Sequence, residues 1–142
     1  MTAAYFDSSA LAKLVLKEDG SDVAMTLWQG ASVALTSRLG LPEVEAAIAA
    51  TRRRRGLPES FGRTTRSEWR QIQSGAWTVS LTRSIADTAA DLVHAHSLSG
   101  ADAVHLASAL AFGTDAVVMV TWDRRLAQAA LEEGLAVAPA VG

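Results

Sequence analysis

Four carboxylates stand where an α/β chain gathers its chemistry: Asp7, Glu43, Asp102 and Asp123. Asp7 ends a short apolar run from Ala3 to Phe6, and Glu43 opens a helical segment just after Pro42. Asp102 sits at the start of another helical segment, and Asp123 follows the apolar run VVMVT by two residues. In open parallel sheets the connecting loops converge at the carboxyl ends of the strands, so these acids are expected along one rim. Any one of them has a plainer explanation, because Asp caps helix N-termini and acids in a first turn favour the helix dipole. Clustered, they would repel and raise one another's pKa, which is tolerable mainly when a cation neutralises them. The chain has no cysteine and no histidine pair at metal spacing, since His94 and His96 are two apart on a helix. Oxygen ligands alone favour Mg²⁺ or Mn²⁺ over Zn²⁺.

The elements that must position these acids follow from periodicity and punctuation. Ala3 to Phe6 reads as a buried strand, and Ser8 and Ser9 introduce a helix carrying Ala10, Leu11, Leu14 and Val15 on one face. Gly20 and Ser21 separate it from a second helix. Ser32 to Thr36 predicts the next strand, Glu43 to Arg55 an Ala-rich helix stopped by Gly56, and Pro58 to Gln73 a polar, more exposed helix. Trp77 to Leu81 has strand residue types. Helices are expected over Ile85 to His96 and Ala101 to Phe112, a buried strand over Val117 to Thr121, and a last helix over Leu126 to Glu133 ended by Gly134. Leu135 to Val137 suits an edge strand. The order β-α-α-β-α-α-β-α-α-β-α-β, with short apolar strands, predicts an α/β sandwich on a mainly parallel sheet.

A chain of 142 residues fits one domain, 1–142, with 49% hydrophobic and 20% charged residues, as in a compact soluble protein. No stretch reaches the length of a membrane helix and no signal-peptide pattern opens the chain, so a cytoplasmic location is expected. The net charge of −2 conceals a basic middle, in which Arg52, Arg53, Arg54 and Arg55 are followed by Arg63, Arg66 and Arg70. Such a run is ordinarily a solvated helix end. Beside an acidic metal site it also suits a polyanionic substrate.

The stretches YFDSSALAKL (5–14), TSRLGLPEVEAAI (36–48), LSGADAVHLASAL (98–110) and VTWDRRL (120–126) resemble the motif series of PIN-domain ribonucleases, and among these the VapC toxins of toxin–antitoxin pairs. The resemblance covers nearly the whole chain in motif order. It implies a PIN-like three-layer α/β/α sandwich with a short, mainly parallel central sheet, and an endoribonuclease dependent on Mg²⁺ or Mn²⁺. Its metal ligands fall on Asp7, Glu43, Asp102 and Asp123, with Ser9 and Thr121 as supporting hydroxyls. It further implies an RNA substrate, a cognate VapB-type antitoxin that inhibits the enzyme, and a homodimer. On that fold Arg52, Arg53, Arg54 and Arg55 become candidate RNA-binding residues that hold phosphate without reading sequence.

Other residues receive plainer readings. His105 is expected to pack on the inner side of its helix, and Lys13 to be solvent-exposed with a phosphate contact open to it. Glu45 is two residues from Glu43 and faces elsewhere, and Asp115 lies at the wrong end of its strand. Core or interface packing is expected of Trp69 and Trp77, although either could stack a base. Trp28, Phe61 and Trp69 are candidate interface residues for a dimer or antitoxin. Two rivals stand beside the nuclease: a catalytically inactive RNA- or partner-binding module, and an Asp-nucleophile phosphatase or dehalogenase. The phosphatase pattern wants a second Asp where this chain has Ser9.

Overall fold

The computed structural model describes residues 2–140. Twelve elements follow in the expected order: β1 (Ala3–Phe6), α1 (Ser8–Val15), α2 (Ser21–Gly30), β2 (Ala34–Ser37), α3 (Gly40–Arg55), α4 (Glu59–Ser74), β3 (Ala76–Val79), α5 (Arg83–His96), α6 (Gly100–Leu110), β4 (Val117–Val120), α7 (Arg124–Glu132) and β5 (Ala136–Ala138). The five strands form one sheet in the order β3-β2-β1-β4-β5. Every pairing is parallel, so the sheet is wholly rather than mainly parallel.

Alternation along the strands divides the core between two helical layers. Ala4 and Phe6 of β1 and Val120 of β4 pack with Ala10, Leu11, Val44, Ile48 and Trp69 on the α1–α4 side. Tyr5 of β1 and Met119 of β4 face the opposite way, onto Ile85, Leu92, Leu106 and Leu126 of α5–α7. With helices on both faces, β1 and β4 are buried and wholly apolar, which is why they read as apolar runs, while β2 is buried with Thr36 and Ser37 at its carboxyl end. Phe6, Leu11 and Leu106 are fully buried, and each stabilises the fold by about 1.5–3 kcal/mol relative to an exposed position.

Helix starts are chemically marked. The side chains of Asp7, Thr82, Ser99 and Asp123 accept hydrogen bonds from the backbone N–H groups of Ala10, Ile85, Asp102 and Leu126, satisfying donors with no helical partner. Helix α3 ends at Gly56, whose φ of +63° gives the left-handed turn that glycine adopts without penalty.

The two tryptophans of this region have different fates. Trp69 of α4 is 1% exposed, sealed beneath α4 against α1 and α3, so it is core and not an interface or stacking residue. Trp77, on the edge strand β3, is 73% exposed and therefore outside the core. Trp28 and Phe61 are partly buried against the core, and Trp28 meets Phe6 edge-on at 5.1 Å.

Candidate active site

The chain runs from β1 outward to β2 and β3, then returns to place β4 on the other side of β1. That reversal opens a crevice at the carboxyl ends of β1 and β4. Asp7 follows β1 directly and Asp123 follows β4 by three residues, so both border this crevice.

Asp7 is 2% exposed. Its Oδ1 accepts hydrogen bonds from the Ser9 hydroxyl at 2.7 Å and the Ala10 N–H at 2.9 Å. Its Oδ2 accepts one from the Thr121 hydroxyl at 2.6 Å. A carboxylate offers about four lone-pair sites, so one on Oδ2 stays open. Burial pushes the Asp7 carboxyl above its ordinary range, opposed by the hydrogen bonds from Thr121, Ser9 and Ala10.

Ser9 and Thr121 also fix the neighbouring loop. The Trp122 N–H donates to Ser9 Oγ at 3.1 Å, and the Asp123 N–H donates to Thr121 Oγ1 at 3.0 Å. Asp123 Oδ1 caps α7 by accepting from the Leu126 N–H at 2.9 Å. The capping explanation is therefore realised for Asp7 and Asp123, and it leaves one oxygen of Asp123 unengaged among the described residues.

Asp102 lies in the first turn of α6 and is half-buried. Burial, then the charge of Asp123, push its carboxyl upward, with Ser99 opposing and Glu43 adding in the same direction. The charges of Asp123 and Glu43 thus both reach Asp102 and disfavour its ionised form. Glu43, in the first turn of α3, is tied through Oε1 to His105 Nε2 at 2.6 Å. His105 lies on the inner side of α6, as its place in the sequence implies, and is completely buried. Its contact with Glu43 was not foreseen, because the two residues are 62 positions apart.

Among the described residues no lysine or arginine forms an ion pair with Asp7, Asp102 or Asp123. Nor do any three Asp, Glu or His side chains already enclose a metal position. The donors are hard oxygens in excess negative charge, each carboxylate retaining a free site. Such a set fits a divalent ion that keeps several of its waters and takes only a few protein ligands, as Mg²⁺ does.

Residues outside the crevice sort cleanly. Glu45 pairs with Arg66 at 2.9 Å, away from Glu43, and Asp115 is exposed in the turn before β4. His96 bonds Glu132 and Glu133 rather than joining His94. Lys13 is not solvent-exposed as expected: its side chain is 13% exposed, its ammonium donates to the Asp19 carbonyl at 2.6 Å, and it lies over the Trp122 ring.

The four arginines at the end of α3 do not act as one patch. Arg52 and Arg53 line a groove with Arg63, Arg66 and Arg70 of α4. Arg54 lines a different groove of about 430 Å³ with Ser9, Lys13, Trp122 and Asp123. The helical turn of about 100° per residue forces this split.

The family model for the PIN domain matches residues 4–132. The chain belongs to the PIN-domain family. It is similar to Ribonuclease VapC45 of Mycobacterium tuberculosis (strain CDC 1551 / Oshkosh), with 46% identity over 140 residues, 99% of this chain and 97% of that protein. Among solved structures, PAE2754 from Pyrobaculum aerophilum shares the fold with a TM-score of 0.70 and 17% identity, over 96% of this chain and 83% of that one. VapBC2 from Rickettsia felis, bound to a DNA fragment from its promoter, shares it with a TM-score of 0.65 and 11% identity, over 95% and 96% of the two chains. The relationship places the chain in the VapC group and leaves no basis for an aspartyl-phosphatase.

Proposed function

We propose that this chain is a divalent-metal-dependent endoribonuclease, the toxin of a VapBC-type pair, hydrolysing RNA phosphodiester bonds at Asp7, Glu43, Asp102 and Asp123. The observation that carries the reading is Asp7: a buried carboxylate at the switch point of the sheet, bordering the same crevice as Asp123 and, among the described residues, in no ion pair with a lysine or arginine. The 46% identity to Ribonuclease VapC45 supports the ribonuclease activity.

Asp7 and Asp102 would be the principal ligands of Mg²⁺ or Mn²⁺, with Glu43 and Asp123 completing the site directly or through water. Such an ion, when bound, lowers the pKa of water and offsets charge developing on the phosphate. Ser9 and Thr121 hold Asp7 in one orientation and, by donating to it, favour its ionised form. Ser9 is unsuited to be a nucleophile, since its hydroxyl is committed to Asp7 and no histidine activates it. Arg54, on the groove that reaches Asp123, binds the RNA backbone nearest the reaction, while Arg52 and Arg53 line the groove against α4 and Arg55 lines another with Phe61 and Glu68. A VapB-type antitoxin as inhibitor is supported by the likeness to VapBC2, and a homodimer in the cytoplasm completes the proposal. No helix among the described residues is long and apolar enough to cross a membrane.

The test is a cleavage assay with purified, antitoxin-free protein and total cellular RNA in Mg²⁺, Mn²⁺ or EDTA, beside Asp102→Asn. Discrete fragments that require the metal and vanish in the variant are expected. RNA binding indifferent to Mg²⁺, with no cleavage under any of these conditions, would favour the inactive binding module instead.

A further inference from the structure

One layer beneath the carboxylates lies a polar chain that crosses the core. The Tyr5 hydroxyl of β1 sits 2.8 Å from His105 Nδ1, and His105 Nε2 sits 2.6 Å from Glu43 Oε1. Tyr5 and His105 are both completely buried, whereas the Glu43 side chain is 27% exposed. Their rings meet edge-on, 5.9 Å apart at 70°.

Proton placement follows from the partners. An ionised carboxylate only accepts hydrogen bonds, so Nε2 must carry the proton that faces Glu43. In the neutral imidazole Nδ1 is then an acceptor, and the Tyr5 hydroxyl donates to it. Tyr5 thereby fixes the ring and its tautomer, and His105 holds one oxygen of Glu43 while the other stays free.

The backbone is shaped to permit this. At Gly40, the first residue of α3, an added Cβ would lie 3.0 Å from Thr36 Oγ1, 3.1 Å from Leu11 Cδ1 and 3.8 Å from His105 Cε1. Glycine lets the start of α3 press onto β2, α1 and α6, and Glu43 is one helical turn further on. An apolar residue at position 105 would serve core packing equally well and would avoid burying an imidazole that needs partners.

We propose that His105, oriented by Tyr5, is a positioning residue that holds the Glu43 carboxylate in the metal-binding cluster. The proposal rests on the reading of Glu43 as a site residue, and the experiment separates the two. Full-length His105→Leu, His105→Gln, Tyr5→Phe, Glu43→Gln and the double variant His105→Leu/Glu43→Gln are compared. Mn²⁺ affinity is measured by calorimetry without RNA, alongside cleavage rate and thermal midpoint.

His105→Leu is expected to lose about 10–100-fold in Mn²⁺ affinity and cleavage, the range typical of partners that orient a ligand. His105→Gln, whose amide N–H can still reach Glu43, should recover most of that loss, and Tyr5→Phe should fall between. The double variant should be no worse than Glu43→Gln alone. Wild-type Mn²⁺ affinity and cleavage in His105→Leu, with Glu43→Gln impaired, would overturn the positioning role alone. So would losses in the Leu and Gln variants that are equal and follow their thermal midpoints. Wild-type behaviour of Glu43→Gln would remove Glu43 from the site and both readings of it.

Discussion

Thr121 and Asp7, 114 residues apart in sequence, are joined by a 2.6 Å hydrogen bond from the threonine hydroxyl to the buried carboxylate. The same oxygen accepts the Asp123 N–H at 3.0 Å. The Thr121 hydroxyl therefore ties the loops that follow β1 and β4 together across the acidic crevice, beside the second tie from Trp122 N–H to Ser9. Thr121→Val keeps the shape but leaves a buried carboxylate and a backbone amide each short of a partner. A loss of about 1–3 kcal/mol in urea unfolding is expected, together with slower cleavage. Unchanged stability would show that water replaces the hydroxyl.

Asp7→Asn should abolish cleavage yet leave the protein folded. Burial raises the Asp7 pKa in the folded state, so the folded protein holds this proton more tightly than the unfolded chain. The stability associated with that proton is complete below the unfolded value, near 4, and is lost as pH rises through the folded value. In EDTA at neutral pH, Asn, which carries no charge, should make the protein at least as stable as wild type. A markedly less stable Asn variant would mean that the hydrogen bonds to Asp7 outweigh its desolvation.

His96 joins α5 to the end of α7 through contacts of 3.0 Å with Glu132 and 2.6 Å with Glu133. The hydrogen bond that the His96 ring donates to Glu133, with a smaller contribution from the one to Glu132, raises its pKa against the opposing effect of burial. The resulting stabilisation is full below the ordinary histidine value, about 6.5, and disappears as pH climbs through the raised folded value. Urea midpoints measured across this range should decline with pH in wild type and decline less in His96→Gln. Parallel profiles would remove His96 from the account.

Arg54 makes no ion pair among the described residues and faces the groove shared with Asp123, whereas Arg53 lines the α4 groove. Arg54→Gln should weaken RNA binding more than Arg53→Gln. It should also reduce the slope of log affinity against log salt by about 0.7, the value for one phosphate of a single strand. Binding to a non-cleaved RNA at several salt concentrations measures this, and equal effects at the two positions would refute the division of the cluster.

Gly20 has φ +90°, and a Cβ there would approach Trp122 Nε1 to 2.8 Å and Lys13 Cδ to 3.2 Å. Gly20→Ala combines a disfavoured backbone with a clash against the indole beside Asp123. A loss of about 1–3 kcal/mol and reduced cleavage are expected. A thermal midpoint equal to wild type would show that the loop moves without penalty.

Much of the fold was legible because its signals are local. Apolar runs of four or five residues, helical spacing of Leu and Ala, and glycines such as Gly56 and Gly134 marked the elements in their observed order, with boundaries shifted by a few residues. Asp7 and Asp123 were legible as residues at strand exits. Which of Trp69 and Trp77 is core was not, since burial depends on which helices cover a side chain. Nor was the His105–Glu43 contact, which joins two helices that have no local signal in common.

The sequence alone determined the alternation of strands and helices, the motif series and the set of acids, because backbone geometry, capping and family resemblance are written in short segments. The tertiary structure decided which acid is buried, which hydroxyls hold it and how His105 reaches Glu43. It also decided how the arginines divide among three grooves. Those relationships depend on distances across 60 to more than 100 residues, which only the strand order and the packing of α3 and α6 on the sheet can set.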